Sequence, residues 1–364
     1  VSTVYLLALT CIPGVGAVLA RALLSHFGAA EAIFNASYKQ LLQVEGIGPQ
    51  LARNIRQFDD FDTSAAELNF VNAHGIQTLV LGDEKYPKQL LHCYDAPIVL
   101  FYKGNTDLNA QKIVSVVGTR SATAYGKLIC DELVKGLAEY GVLVVSGLAY
   151  GIDAAVHKAC VKNGLPTIGI LAHGLDRMYP YAHRKLATEM LEKGGLLTEF
   201  PSKSNPDREN FPKRNRIIAG LADATIVVEA NIKGGALITA DLANSYDREV
   251  CAFPGRATDE YSLGCNELIK TNRAHLITQA ADIVSLLAWD ITSPTQKRVS
   301  RINWADRTAD EQRILAILAE NTAIPLDELI FSTGFSQSKL SLVLLDLQLA
   351  GFVQILPGNR CILV

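Results

Sequence analysis

From Lys112 to about Trp289 the chain alternates short β-branched runs with helical stretches, and this alternation constrains the fold more than any other feature of the sequence. Residues 113–117, 142–145, 166–171, 196–199, 225–228 and 250–253 are apolar runs of strand length. Between them the pattern predicts helices over about 125–140, 152–163, 182–193, 215–221 and 236–246. Strands that are apolar throughout are buried on both faces, and strands separated by helices run parallel because each crossover carries the chain back to its starting edge. The expected fold class is α/β, a Rossmann-like doubly wound parallel sheet with its ligand at the carboxyl ends of the strands. A composition of 49% hydrophobic and 20% charged residues is rich enough in apolar material for such a core.

At 364 residues the chain is too long for one ordinary core, so smaller companions are expected on either side. Residues 1–61 read as short helices punctuated by two similar turns. Pro13-Gly14-Val15-Gly16 and Glu45-Gly46-Ile47-Gly48 each open a helical run, 17–27 and 49–58. This is the helix-hairpin-helix pattern, in which glycines allow a tight turn and the following helix offers free N–H groups to a phosphate. The same pattern serves as a plain helical-bundle turn, and few basic residues stand near it, Arg21 and Arg53 being the clearest, so any phosphate binding here is weak. Residues 62–290 form the extended Rossmann-like domain; within it, 62–110 reads as a connecting stretch with short strands at 76–80 and 98–102, docked on the edge of the central domain. Residues 291–303 read as a linker, and 304–364 carry three helical segments followed by a hairpin, which is the winged-helix arrangement.

Seven cysteines, odd in number and never spaced as CxxC, argue against zinc and against a disulfide framework. They read as reduced core thiols of a cytoplasmic protein. The apolar start, 4–12, runs into a patterned turn rather than a cleavage site, and no run approaches the roughly 20 apolar residues of a membrane helix. A net charge of -3 requires any nucleic-acid binding to rest on a local basic patch.

Glycine concentrates at three strand-to-helix junctions: Gly118-Thr119-Arg120, Ser146-Gly147-Leu148-Ala149-Tyr150-Gly151, and Lys233-Gly234-Gly235. None fits the G-x-G-x-x-G fingerprint or the Walker pattern, so no nucleotide cofactor is expected. Tight strand–helix packing explains any one of them; three in one domain, two with a cation, favour a polyanion. The segment Asn210-Phe211-Pro212-Lys213-Arg214-Asn215-Arg216 is read as preceding the helix that begins near Asn215. It places three cations and an aromatic beside a helix start, which couples phosphate neutralisation to a stacking platform for an unpaired base. The competing reading has Phe211 in the core and the cations on a solvated face. Catalysis has little apparatus: His157, His173, His183, Asp153, Asp176, Glu199 and Glu229 fall in no HExxH, DxD or GxSxG spacing. Asp153 and His157 share a helix face and are expected to make a helix-fixing contact, while Glu199 and Glu229 are expected to accept from glycine-loop N–H groups.

Taken in order, Ser146-Gly147-Leu148-Ala149-x-Gly151-Ile152-Asp153, Gly174-Leu175-Asp176-x-x-Tyr179-Pro180, Phe211-Pro212-x-Arg214-Asn215-Arg216-Ile217-Ile218-Ala219-Gly220, Glu229-Ala230, Gly234-Gly235-x-Leu237-Ile238-Thr239-Ala240 and Pro254-Gly255 resemble the DprA/Smf family of DNA-processing proteins. The resemblance implies a helix-hairpin-helix or SAM-like domain in front, a winged helix behind, and a non-enzymatic role. That role is to bind single-stranded DNA in natural transformation, protect it and load the RecA recombinase, with dimerisation through the Rossmann-like domain. Carried over by motif, the DNA-binding residues are Gly118, Arg120, Ser146, Gly147, Phe211, Lys213, Arg214, Asn215, Arg216, Lys233, Gly234 and Gly235. Tyr150 stands where many relatives carry arginine; it loses a phosphate contact and keeps the capacity to stack. Two rivals remain open at this point. A phosphoribohydrolase-type nucleotide enzyme would need a Pro-Gly-Gly-x-Gly-Thr-x-x-Glu pattern, and the junction at Lys233 lacks the glutamate. A duplex-DNA regulator would need a more basic third winged-helix segment than 336–349, which has one lysine.

Overall fold

A computed structural model describes residues 3–289, 307–321, 323–356 and 358–363. The chain divides into two compact units, Val1–Leu276 and Ile277–Val364. The expected linker, 291–303, lies outside the described residues.

The first unit opens with six helices: Thr3–Cys11 (α1), Ala17–Phe27 (α2), Ala30–Asn35 (α3), Tyr38–Leu41 (α4), Pro49–Gln57 (α5) and Phe61–Ala73 (α6). The two predicted hairpins are present and pack on each other reciprocally. Gly14 has φ +88°, and a Cβ there would come 2.7 Å from Leu51 in α5; Gly46 has φ +82°, and a Cβ there would come 2.7 Å from Leu19 in α2. Asn54 of the second hairpin donates to the Pro13 carbonyl of the first (3.0 Å). Buried Leu6, Leu9, Leu23, Ile33 and Ile55 share one apolar cluster with Ile98, Val99 and Phe101, so the helices are seated on the sheet. Residues 3–73 carry four basic side chains (Arg21, Lys39, Arg53, Arg56) against six acidic ones, and Arg21 is engaged with the Cys93 carbonyl. That balance is unfavourable for phosphate.

The sheet is built from Gln77–Val80 (β1), Val99–Gly104 (β2), Ile113–Val117 (β3), Leu143–Ser146 (β4), Thr167–Ile170 (β5), Gly195–Thr198 (β6), Ala224–Val227 (β7), Glu249–Ala252 (β8) and His275–Leu276 (β9). Its order is β1-β2-β6-β5-β4-β3-β7-β8-β9. From β6 to β9 every pairing is parallel, whereas β2 runs antiparallel to β6 and to β1. The stretch 62–110, expected to dock on an edge, thus extends the sheet by two hydrogen-bonded strands and begins with α6, a helix the sequence reading passed over. Helices Lys88–Leu91 (α7), Ala124–Ala138 (α8), Ile152–Asn163 (α9), Arg184–Met190 (α10), Asn210–Leu221 (α11), Gly235–Ser245 (α12) and Leu263–Lys270 (α13) fill the connections. The chain steps from β3 to β6 in one direction and from β7 to β9 in the other. Right-handed crossovers therefore put α8, α9 and α10 on one face and α11 and α12 on the opposite one. Buried residues of β3, β4, β5, β7 and β8 form the core with α11 and α12, and Ser115 and Thr225 satisfy each other across β3 and β7 (2.8 Å).

The second unit contains Ala280–Leu286 (α14), Ala309–Glu320 (α15), Leu326–Thr333 (α16) and Gln337–Leu349 (α17), with Ile324–Pro325 (β10), Val353–Leu356 (β11) and Arg360–Leu363 (β12) in an antiparallel sheet of order β10-β12-β11. This is the winged helix, with one short strand, β10, beyond the expected hairpin. A Thr308–Glu311 capping box starts α15, and Gly334 in the left-handed conformation ends α16. Leu340, Leu344 and Leu347 are buried, while Leu342, Leu345 and Leu349 on the same helix are exposed.

Six of the seven cysteines are buried and all seven are free thiols. Among the described residues no helix is long and apolar enough to cross a membrane, and no group of three His, Cys, Asp or Glu could hold a metal.

Candidate functional site

The carboxyl ends of β3, β4 and β5 open between two loops and the start of α11, and the geometry there begins with a charge pair. Arg214 of α11 is 5% exposed. Its guanidinium donates to the Ile170 carbonyl at the end of β5, its Nε–H donates to Asn215 Oδ1 (3.2 Å), and it stands beside Asp153 in the first turn of α9. Burial raises the Asp153 carboxyl, opposed by Arg214 and by the Ala149 N–H that donates to it. Burial likewise lowers Arg214, to about 10, opposed by Asp153. Gly147 lies directly over this pair; a Cβ there would come 2.6 Å from Arg214 Nη1. Only a glycine leaves room for both groups.

Two more glycines fix the loops to each other. Gly151 has φ +81° and faces the Thr119 carbonyl, while a Cβ on Gly118 would come 2.8 Å from Ile152 Cβ. The Ile152 N–H donates to the Thr119 carbonyl (3.1 Å), so part of the α9 amino terminus is already satisfied within the protein. Gly118 therefore sits at a close strand–helix contact, and buried Ser146 donates to the Val116 carbonyl (2.6 Å).

Above this floor is a small pocket lined by Arg120, Leu148, Tyr150, His173, Tyr179, Phe211 and Arg214, among others. Tyr150 and Tyr179 are 50% and 45% exposed. Phe211 meets Tyr179 edge to face with ring centroids 6.1 Å apart, and the exposed Arg120 guanidinium lies 5.0 Å from the Phe211 ring. Tyr150 packs edge to face on His183 (5.0 Å), which in turn bonds the Leu148 carbonyl (2.8 Å). His173 accepts the Tyr179 N–H at Nε2 (3.2 Å) and bonds the Gly174 carbonyl through Nδ1 (2.9 Å); burial holds its pKa below the usual histidine range. The neutral ring thus fixes the backbone that carries Tyr179. Tyr179 and His173 are site residues that the sequence reading left unassigned, although Tyr179 lay within a quoted motif.

The Phe211–Arg216 run differs from its sequence reading. It lies within α11, which begins at Asn210, five residues earlier than predicted. Pro212 in the first turn removes an N–H that has no intrahelical partner, so the helix tolerates it. Because the run is helical, its three cations diverge. Lys213 is exposed, 3.9 Å from Glu209. Arg214 turns inward as described. Arg216 is mostly buried and pairs with Glu199 and the Asp95 carbonyl. Lys233, Gly234 and Gly235, at the carboxyl end of β7, lie on the same edge of the sheet and outside the pocket lining, with Lys233 and Gly235 exposed.

The strand order reverses between β3 and β7, where folds of this class seat a nucleotide. Here Glu229, 3% exposed, fills that crevice: it accepts from the Thr123 N–H (3.0 Å) and hydroxyl and abuts Gly126. The expected glycine-loop role of the two strand-end carboxylates is thus replaced by a helix-cap partner for Glu229 and an arginine for Glu199. The expected Asp153–His157 contact is replaced too. His157 bonds Thr167 Oγ1 (2.7 Å) and the Gly147 carbonyl (3.1 Å), and burial lowers it to about 4. Asp176, although burial works against it, is held below the usual carboxylate range by Arg177 and the Lys203 N–H.

The sequence pattern of the family described as DNA recombination-mediator protein A matches residues 77–288, the whole sheet from β1 to β9 and the first helix after it. The chain belongs to that family. A helix-hairpin-helix pattern matches residues 5–66, and the DprA winged-helix pattern matches 303–359. The chain is 32% identical to Protein Smf of Synechocystis over 391 residues, covering 98% of this chain and 97% of that protein. It is 42% identical to the DNA processing protein DprA of Bacillus subtilis over 210 residues, covering 57% of this chain and 70% of that one. Among solved structures, DNA processing protein A of Streptococcus pneumoniae superposes with a TM-score of 0.66 at 32% identity, covering 78% of this chain and 97% of that chain. Its counterpart from Helicobacter pylori, described for its single-stranded DNA binding mode, has a TM-score of 0.53 at 31% identity, covering 59% of this chain and 96% of that chain.

Proposed function

We propose that this chain binds single-stranded DNA without sequence preference along the carboxyl edge of its sheet. The observation that carries the reading is the convergence of Tyr150, Tyr179 and Phe211 on one pocket with the exposed cation Arg120 at its rim. Aromatic faces accept any unpaired base, and a guanidinium at the rim meets the backbone that accompanies it. Lys213 and the Lys233–Gly235 turn would extend the phosphate track along the same edge, while Gly147, Ser146 and Gly118 shape the floor. Arg214, Asn215 and Arg216 serve the site from beneath by holding α11 in place. The single-strand binding described for the Helicobacter pylori relative supports the reading.

At a finer level, the chain is a non-enzymatic factor that protects DNA entering the cytoplasm during natural transformation and loads RecA onto it, acting as a homodimer through its Rossmann-like domain. Asp153, His157, His173 and Glu229 are each committed to structural partners, which favours binding over nucleotide hydrolysis. Anisotropy titrations with labelled oligothymidylate and with duplex of equal length test the first part; equal affinity for both would overturn it. RecA filament growth on strand precoated with single-strand-binding protein tests loading, and sedimentation tests the dimer. Release of free base from nucleoside monophosphates would establish the hydrolase reading instead.

A further inference from the structure

Glu67 stands on α6, the last of the six amino-terminal helices, and its side chain is buried against the loop that leads from β6 to α11. Its carboxylate accepts the Ser202 N–H (2.8 Å) and the Ser202 hydroxyl. The next residue, Lys203, has φ +67°, a left-handed conformation that only an over-determined backbone imposes on a non-glycine residue. Its N–H donates to Asp176 Oδ1 (2.9 Å), and the Ser204 N–H closes the turn on the Pro201 carbonyl (3.2 Å). Two carboxylates from different parts of the chain thus hold successive N–H groups of one strained turn.

That turn adjoins the two segments that carry the aromatic walls of the pocket. On one side it presses on Gly174, where a Cβ would come 2.8 Å from Ser202 Cα and 2.6 Å from Asp176 Oδ1. Gly174 adjoins His173, the ring that accepts the Tyr179 N–H. On the other side the chain runs on to Asn205, whose carbonyl accepts from the Asn210 side chain (3.1 Å). Asn210 is the first residue of α11, and Phe211 follows it.

We infer that Glu67 is a positioning residue for DNA binding, through which the helical layer sets the separation of Phe211 and Tyr179; this rests on the single-strand reading above. The carboxylate touches no DNA itself. The full-length chain is compared as Glu67→Ala, Glu67→Gln, Phe211→Ala and the double variant Glu67→Ala/Phe211→Ala. Binding is measured with an oligothymidylate carrying one 2-aminopurine, whose quenching reports stacking, and hydrogen exchange is followed in parallel. Expected for Glu67→Ala is about three- to tenfold weaker binding with reduced quenching, together with faster exchange confined to residues 173–179 and 201–211. Glu67→Gln keeps an oxygen for the Ser202 N–H and offers its amide N–H to the hydroxyl, so it restores affinity, quenching and exchange. Adding Phe211→Ala to Glu67→Ala costs less than the two single losses together, because one acts through the other. Wild-type affinity, unchanged quenching and unchanged exchange in Glu67→Ala overturn the inference, as does full additivity with Phe211→Ala. Failure of the wild-type chain to bind the oligonucleotide overturns the single-strand reading instead, while the exchange pattern still decides whether Glu67 holds the two loops. If Glu67→Ala does not fold, Ser202→Ala removes the hydroxyl contact alone, with the same expected directions and the same overturning results.

Discussion

Replacing Phe211 with alanine should weaken single-strand binding by a factor that can be worked from the site. A base stacked on an aromatic ring contributes about 1–3 kcal/mol, which corresponds to roughly five- to 150-fold in affinity. The ring also holds the Arg120 guanidinium at 5.0 Å, an exposed cation–π contact of about 0.5–1 kcal/mol. That contact is made within the free protein, so its loss counts against folding and leaves the expected binding effect within the stacking range. Phe211 is half-buried, which places its folding cost well below the roughly 3–5 kcal/mol of a fully buried phenylalanine. The variant therefore stays folded, and circular dichroism melting establishes that before binding is compared. Phe211→Leu separates the π face from the apolar bulk, because it keeps most of the apolar volume and discards the π face. The assay is fluorescence anisotropy with a labelled oligothymidylate at two salt concentrations. Near wild-type affinity in both folded variants would refute the claim that this pocket stacks a base.

Three further outcomes follow from the same geometry. Lys213→Ala should leave stability unchanged, since its ion pair with Glu209 is open to solvent at 3.9 Å, while the slope of log K against log salt falls by about 0.7, the value of one single-strand phosphate contact; an unchanged slope removes Lys213 from the interface. Arg216→Ala should cost about 3–5 kcal/mol in urea unfolding by stranding the Glu199 carboxylate, with much of the loss recovered in Arg216→Ala/Glu199→Leu; a small loss would return Arg216 to the list of DNA contacts. His157, neutral and lowered to about 4 when folded, leaves the unfolded chain as the better proton binder between that value and about 6.5. Its contribution is present above pH 6.5 and is lost as pH falls toward 4. The buried carboxyls Asp153 and Glu199, both raised, act in the opposite sense. The comparison is therefore between wild type and His157→Gln at pH 7 and pH 5, where the variant should show the shallower acid loss.

The strands were legible because their apolar β-branched runs have no other comfortable environment, and the two hairpins because glycine at a positive φ leaves a mark in sequence. The start of α11 was misplaced because Phe-Pro reads as loop, whereas the first helical turn has no use for the N–H that Pro212 lacks. The helix α6 carries a weaker mark in the sequence: Asp60 caps it, its side chain accepting the Thr63 N–H (3.1 Å), and an Asp followed by an Ala- and Glu-containing run is its signal. What the sequence could not convey was the fate of three neighbouring cations. A single helix turn holds an exposed Lys213, a buried Arg214 and a paired Arg216, and the arginines' partners Asp153, Glu199 and Asp95 lie elsewhere in the chain. The convergence of Tyr150, Tyr179 and Phe211 depends likewise on two loops and the first turn of α11 meeting at one end of the sheet.

Glu229 in the crevice between β3 and β7 bears on how small molecules could be directed at this chain. Compounds that imitate dinucleotides exploit an open cleft at the strand reversal, and here a carboxylate and a threonine already fill it. A screening collection biased toward adenosine mimics would be matched to the wrong place. Flat heterocycles bearing an anionic tail, matched to the tyrosine and phenylalanine faces beside Arg120, are the better starting chemistry, and selectivity over dehydrogenases of the same architecture would come with that choice.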